Sequence, residues 1–297
     1  MMMTDNQHGA VLMMAAMAAF TVSDSFMKLL APELPFFQTL LWRGIAVSLI
    51  LFLLAHRAGA FKVPLARRDR LLVGLRSLAD TVAAYFFLQA LYNMPIANLA
   101  AIAQSLPLSV TLAAALVFRE PVGWRRLLAI ALGFIGVVLI VRPDAQGFDP
   151  YAGFALIAMG FVTVRELMTR LMAGGVPTLR VAFWNGIGVM LLGLIGASGQ
   201  AFVMPAPAAL FYLAGTSSVL VIALVLSVMA IRHGEMGFVS SFRYTAVVWA
   251  LILGWVVFGE WPDVITVFGA ALIVGTGLFT LNRERLSAAR WRAPGRH

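Results

Sequence analysis

Eight charged residues interrupt otherwise apolar stretches: Asp24, Lys28, Arg43, Arg76, Asp80, Arg165, Glu166 and Arg243. A charge in the middle of a lipid-spanning helix costs roughly 2.5–3.5 kcal/mol on insertion scales, so it faces a partner or a wet cavity. A guanidinium captures a carboxylate or phosphate, and a carboxylate captures a cation. A buried carboxyl can also carry a proton. Asp24 and Lys28 are four residues apart, as are Arg76 and Asp80. That spacing puts each pair on one helix face, where its members can neutralise each other. Arg43, on the next apolar stretch, competes for Asp24. Arg165 and Glu166 are adjacent and point to different parts of their helix, so they are not expected to neutralise one another. Structural ion pairing is the bland alternative and weighs evenly for Asp24 and Lys28. For Arg76, Asp80, Glu166 and Arg243 a substrate or gating role is preferred.

These charges sit in ten apolar segments, roughly 9–30, 35–56, 70–92, 95–118, 123–142, 150–172, 178–198, 207–231, 236–259 and 263–281. At about 1.5 Å per residue each can cross a hydrocarbon core of about 30 Å. Only helices satisfy their own backbone in lipid among single segments of this length, so the fold class is all-α and integral to a membrane. Of 297 residues, 61% are hydrophobic and 12% charged, too little charge for the surface of a soluble domain. The opening residues lack the positive start of a cleaved signal, so the first segment is read as a retained helix. With a cytoplasmic N-terminus and ten crossings, sixteen Lys and Arg fall at inner ends or in the basic tail 282–297. Two, Lys28 and Arg142, fall at outer ends, and four lie inside spans. This bias predicts both termini in the cytoplasm, in the inner membrane. It also accounts for the net charge of +9 without nucleic acid as a partner.

The segments repeat. Asp24, Lys28, Pro35, Trp42, Gly44, Ile45 and Val47 recur 142 residues later as Glu166, Arg170, Pro177, Trp184, Gly186, Ile187 and Val189. Further on the spacing becomes 140, where Ala90 meets Ala230 and Val117-Phe118-Arg119-Glu120 meets Val257-Phe258-Gly259-Glu260. The repeats are 9–142 and 150–281, each with five segments. An odd number inverts the second copy in the membrane. In secondary transporters such an arrangement puts substrate near the midplane. Gln104 and Tyr244 match across the repeat near the middle of the two fourth segments, and are expected to line a cavity. Trp124 and Trp261 are read as interface anchors.

The sequence resembles the EamA type of the drug/metabolite transporter superfamily. The resemblance is carried by Lys28, Met94-Pro95-Ile96-Ala97-Asn98, Pro107-Leu108, Phe118-Arg119-Glu120 and Gly133-Phe134-Ile135-Gly136-Val137 in the first half. Gly234-Glu235, Phe258-Gly259-Glu260 and the run from Gly269 to Gly277 carry it in the second. It implies a ten-helix carrier without ATP drive, and does not name the substrate. Glu120 and Glu260, each near a proline, are read as structural helix-end acids on opposite membrane faces. Glycines 133, 136, 269, 275 and 277 are read as close helix contacts.

The function expected is therefore secondary transport of a small polar or zwitterionic metabolite by alternating access, export being preferred and uptake or exchange the alternative. Arg76 or Arg243 would hold the anionic group, and Asp80 or Glu166 the cationic group or a proton. No cofactor, metal site or catalytic residue is expected: cysteine is absent, and His8, His56, His233 and His297 are peripheral. A membrane-embedded lipid-modifying enzyme and a non-transporting scaffold or sensor are the rivals from other classes. Small-residue faces leave a homodimer open.

Overall fold

The computed structural model describes the backbone of residues 5–119, 123–142, 149–233 and 236–292. Twelve helices follow one another: α1 Asp5–Leu29, α2 Phe36–Arg57, α3 Arg67–Asn93, α4 Ile96–Ala103, α5 Leu106–Phe118, α6 Trp124–Val141, α7 Pro150–Leu171, α8 Thr178–Ala197, α9 Pro207–His233, α10 Met236–Ser241, α11 Thr245–Phe258 and α12 Val264–Arg292. Among the described residues, nine helical stretches are long and apolar enough to cross a membrane, and Val264–Thr280 is a shorter tenth. The nine count α4 with α5 as one stretch, and Phe238–Phe258 as another. The fold is all-α, with ten membrane helices arranged as two inverted five-helix repeats.

Helix boundaries keep the repeat spacing. Phe36 and Thr178 open α2 and α8 at a spacing of 142, each behind a proline at the cap. Arg67 and Pro207 open α3 and α9, and Asn93 and His233 close them, at a spacing of 140.

Both fourth segments, expected to be continuous, are broken at the same place. Gln104 caps the end of α4 before α5 begins at Leu106. The 3₁₀ turn Phe242–Tyr244 separates α10 from α11. In the first copy Pro107 cannot donate to the carbonyl of Ala103, so the helical ladder fails there. In both copies a hydroxyl bonds the carbonyl three residues back: Ser105 Oγ to Ile102 O at 2.7 Å, and Thr245 Oγ1 to Phe242 O at 2.6 Å. These bonds are related by the spacing of 140. Hydropathy runs unbroken through both sites, which is why the break is invisible to it.

The chain divides into two compact units, and each draws on both repeats. One contains Met1–Thr21, Met94–Gly153 and Ile222–His297; the other contains Val22–Asn93 and Phe154–Val221. In the second unit, α2 and α8 cross at glycines. A Cβ on Gly44 would fall 2.6 Å from the Met190 Cα, and one on Gly186 would fall 2.6 Å from Ser48 Oγ. Gly44 corresponds to Gly186 and Ser48 to Met190, both at 142. Numbers rise along α2 as they fall along α8, so the equivalent helices run antiparallel, as inversion requires.

The first unit repeats this logic on α6 and α12. A Cβ on Gly136 would meet Ile273 Cγ1 at 2.9 Å, and one on Gly133 would meet Thr276 Oγ1 at 2.9 Å. Gly133 and Ile273, and Gly136 and Thr276, correspond at 140. Gly269 rests on the backbone of Gly136, and Gly277 on Tyr244. Gly275 departs from the expectation: a Cβ there would meet nothing within 4 Å. Four of the five glycines therefore mark close contacts, and the fifth faces open space. In the same unit Met13, Ala16, Met17, Ala230 and Val239 form a buried cluster, with Phe238, Phe242 and Trp249 against them.

Candidate functional site

Six of the charges singled out by sequence come together in the unit built on Val22–Asn93 and Phe154–Val221. Its helices α2, α3 and α7 carry five of them, and the end of α1 carries Asp24. Asp24 interacts electrostatically with Arg43 of α2, and Arg43 in turn with Asp80 of α3. Arg165 of α7 is the hub. Its Nη1 donates to Asp80 Oδ1 at 2.6 Å, and its Nη2 to Glu166 Oε1 at 2.7 Å. Two sequence expectations are corrected here. Arg76 and Asp80 do not form the i,i+4 pair, because Arg165 takes the carboxylate from across the helix contact. Arg165 and Glu166 do pair: neighbouring positions diverge on a helix, but the long arginine stem reaches back around it.

Arg76 takes a different partner. Its Nε donates to Thr169 Oγ1 at 2.8 Å, and the Thr169 hydroxyl donates to the Arg165 carbonyl at 2.8 Å. Arg76 Nη1, Arg43 Nε and Arg165 Nε are buried without a hydrogen-bond partner among the described residues. Three guanidiniums and three carboxylates thus share one region, with donors to spare. Nearby, Ser77 Oγ donates to Asn185 Oδ1 at 2.9 Å, and Phe36, Phe37, Tyr85 and Tyr92 form an aromatic panel. Thr169 and Asn185 were not picked out from sequence. Thr169 lies one turn after Arg165, and that spacing was the available signal.

The repeat supplies a control for this cluster. At spacings of 142 and 140, Arg165 corresponds to Ser23 and Arg76 to Thr216. Ser23 Oγ donates to the Thr216 carbonyl at 3.0 Å and lies 3.1 Å from its hydroxyl. The contact that α7 makes with α3 is made by α1 with α9 through the hydroxyls of Ser23 and Thr216 in place of the two arginines, while Asp24 keeps the acid of Glu166 and Leu220 stands for Asp80. The equivalent crossing thus does without both arginines and one of the two acids, and mid-span ions are costly.

The remaining candidates lie in the other unit. Gln104 and Tyr244 sit at the two helix breaks. Tyr244 is 5% exposed, packs on Gly277, and its hydroxyl has no hydrogen-bond partner among the described residues. Arg243 is on the same 3₁₀ turn and is exposed. Glu260 follows Gly259, whose φ of 65° closes α11, and accepts the Ile96 N–H at the start of α4 at 3.0 Å. Trp124 and Trp261 are both exposed. Lys28 lies at the end of α1. Glu120, Gly234 and Glu235 lie outside the described residues, as do the side chains of the tail arginines. Among the described residues no group of His, Asp and Glu could hold a metal ion.

The profile of the EamA-like transporter family matches the chain twice, over residues 7–142 and 150–282. The chain belongs to this family. Among its relatives is an S-adenosylmethionine uptake transporter of Rickettsia prowazekii (strain Madrid E), 22% identical over 284 residues, which are 94% of each chain. Another is the pseudopaline exporter CntI of Pseudomonas aeruginosa, 25% identical over 270 residues, 90% of this chain and 93% of the other. A protein crystal structure shares the fold with a TM-score of 0.65 at 19% identity, covering 94% of this chain and 98% of that one. This EamA chain is a multi-pass membrane transporter of small molecules, not an enzyme.

Proposed function

We propose that this transporter is a secondary carrier for a small polar or zwitterionic metabolite. It works by alternating access in the inner membrane, with both termini cytoplasmic and export as its direction. The observation that carries the reading is the unequal repeat. The α3–α7 crossing holds Arg76, Asp80, Arg165 and Glu166, where the equivalent α1–α9 positions hold Thr216, Leu220, Ser23 and Asp24. The three charges that the equivalent positions lack are kept for a ligand that carries both signs. The anionic group of the solute meets an arginine, and its cationic group, or a proton, meets Asp80 or Glu166. Asp24, Lys28, Arg43, Gln104, Arg243 and Tyr244 are assigned supporting substrate or gating roles. The relatives include both an importer and an exporter, and uptake or exchange is the alternative that measured flux separates from export.

The test is flux in proteoliposomes, read in both directions, after a thermal-shift screen of metabolites that includes S-adenosylmethionine. Glu166→Gln and Arg243→Ala are expected to reduce flux of the solute found while leaving the unfolding temperature near wild type. Full flux in both variants would remove these residues from the mechanism. Turnover of lipid without solute movement would replace the carrier reading with an enzyme.

A further inference from the structure

We propose that Arg76 is the seat for the anionic end of the transported solute and that Thr169 is the residue that positions it. The proposal deepens the carrier reading above and rests on it for the identity of the ligand. Arg76 interacts electrostatically with Asp80 and Glu166, but both carboxylates are hydrogen-bonded to Arg165. Arg76, like Arg43, therefore makes no ion pair with them, and of the two it is Arg76 that a hydroxyl from α7 holds in place. Thr169 accepts from its Nε, and the Thr169 hydrogen is committed to the Arg165 carbonyl. That commitment leaves a lone pair as the only thing the hydroxyl can offer Arg76. The bond pins one edge of the guanidinium plane and leaves the end that carries Nη1. That atom is buried and has no hydrogen-bond partner among the described residues. A planar fork with a free end matches a carboxylate, phosphate or sulfonate bidentately. The repeat argues against a structural role, since Thr216 stands at the equivalent place and needs no cation there.

Purified protein in detergent tests this with acetate, and acetamide as its neutral isostere, each against chloride at equal ionic strength. Acetate is expected to raise the unfolding temperature of wild type and not of Arg76→Met; acetamide is expected to raise neither. Thr169→Val should weaken the apparent acetate affinity about tenfold, the scale of one positioning hydrogen bond. Thr169→Ser keeps the hydroxyl and should restore it. Without added anion, Arg76→Met should unfold at or above the wild-type temperature, because it removes a half-buried cation that has no ion-pair partner. Arg165→Met should unfold well below it, because two carboxylates lose their partner. No acetate effect in wild type, or an equal loss of stability in Arg76→Met and Arg165→Met, overturns the assignment. A Thr169→Ser variant as weak as Thr169→Val overturns the role of Thr169. These measurements use no transported solute, so they fail or succeed separately from the flux assay.

Discussion

Tyr244 packs its hydroxyl and ring edge against Gly277 so closely that no Cβ fits between them. Tyr244 is also the last residue of the 3₁₀ turn that breaks the second fourth helix. The missing Cβ on α12 thus leaves room for the ring at the break. Gly277→Ala must push the ring away, and overpacking of this kind costs about 1–3 kcal/mol. The expected result is a lower unfolding temperature in detergent. In a Tyr244→Leu background the same change should cost much less, and a double-mutant cycle reads the coupling. Additive effects would show that the two residues do not press on each other.

The contrast between Gly136 and Gly275 gives a second test. Both lie in the final helices of their repeats, and the sequence treats them alike. Gly136 rests on the Gly269 carbonyl, whereas Gly275 has no neighbour within 4 Å of a built Cβ. Gly136→Ala should separate α6 from α12 and destabilise the protein. Gly275→Ala should be neutral or stabilising by up to about 1 kcal/mol, the helix propensity gained over glycine. Equal losses in both variants would contradict the packing described.

Much of this was legible in the sequence, and the failures have physical causes. Apolar length located the spans because lipid permits few alternatives. The repeat spacing located the helix ends, since Pro35 and Pro177, and Gly44 and Gly186, hold equivalent places. The interruption of apolar stretches by charge named the residues that gather on α2, α3 and α7. It did not name their partners. Arg165 reaches Asp80 from another helix and Glu166 around its own, and spacing along one helix predicts neither. Gly275 failed because the presence of a glycine does not reveal which way its helix faces. The helix breaks at Gln104 and Tyr244 escaped because hydropathy does not register a proline or a side-chain bond to a carbonyl.

Arg119 is strained where its repeat counterpart is not. It caps α5 with φ 54°, and Gly259 caps α11 with φ 65° at the equivalent position. A side chain in this left-handed region costs about 1–2 kcal/mol, and glycine returns part of that gain through its freer unfolded chain. Arg119→Gly should therefore raise stability by up to about 1 kcal/mol, and Gly259→Ala should lower it by about 1 kcal/mol. Chemical or thermal unfolding measures both; a destabilised Arg119→Gly would refute the account.

Asp263 gives the chain a defined acid response. Its carboxylate pairs with Arg142 and accepts the Thr266 N–H at 2.8 Å, capping α12. The Arg142 guanidinium is the main cause that holds its pKa at about 2, below the usual 3.8. A carboxylate depressed on folding stabilises the folded form above its unfolded pKa and loses that contribution as pH falls through the folded one. The window is thus from about pH 4 down to about pH 2. Both side chains are well exposed, 40% and 49%, so the pair contributes at most about 1 kcal/mol. Asp263→Asn should flatten the stability profile in that window by this small amount and leave its slope between pH 5 and 8 unchanged. A change of slope near neutrality would point to another group.

The absence of native cysteine makes the inverted topology directly measurable. Glu33, in the turn between α1 and α2, and Gly175, between α7 and α8, are both exposed and correspond at 142. If the second repeat is inverted, equivalent turns face opposite sides of the membrane. If the arginine bias fixes the orientation, the first faces outward. In intact cells a membrane-impermeant maleimide should label Glu33→Cys and spare Gly175→Cys until the membrane is permeabilised. Lys62→Cys, in the next connection of the first repeat, should behave like Gly175→Cys. Labelling of Gly175→Cys but not Glu33→Cys would keep the inversion and reverse the orientation. Labelling of Glu33→Cys and Gly175→Cys from the same side would remove the inversion, and with it the antiparallel relation of α2 to α8.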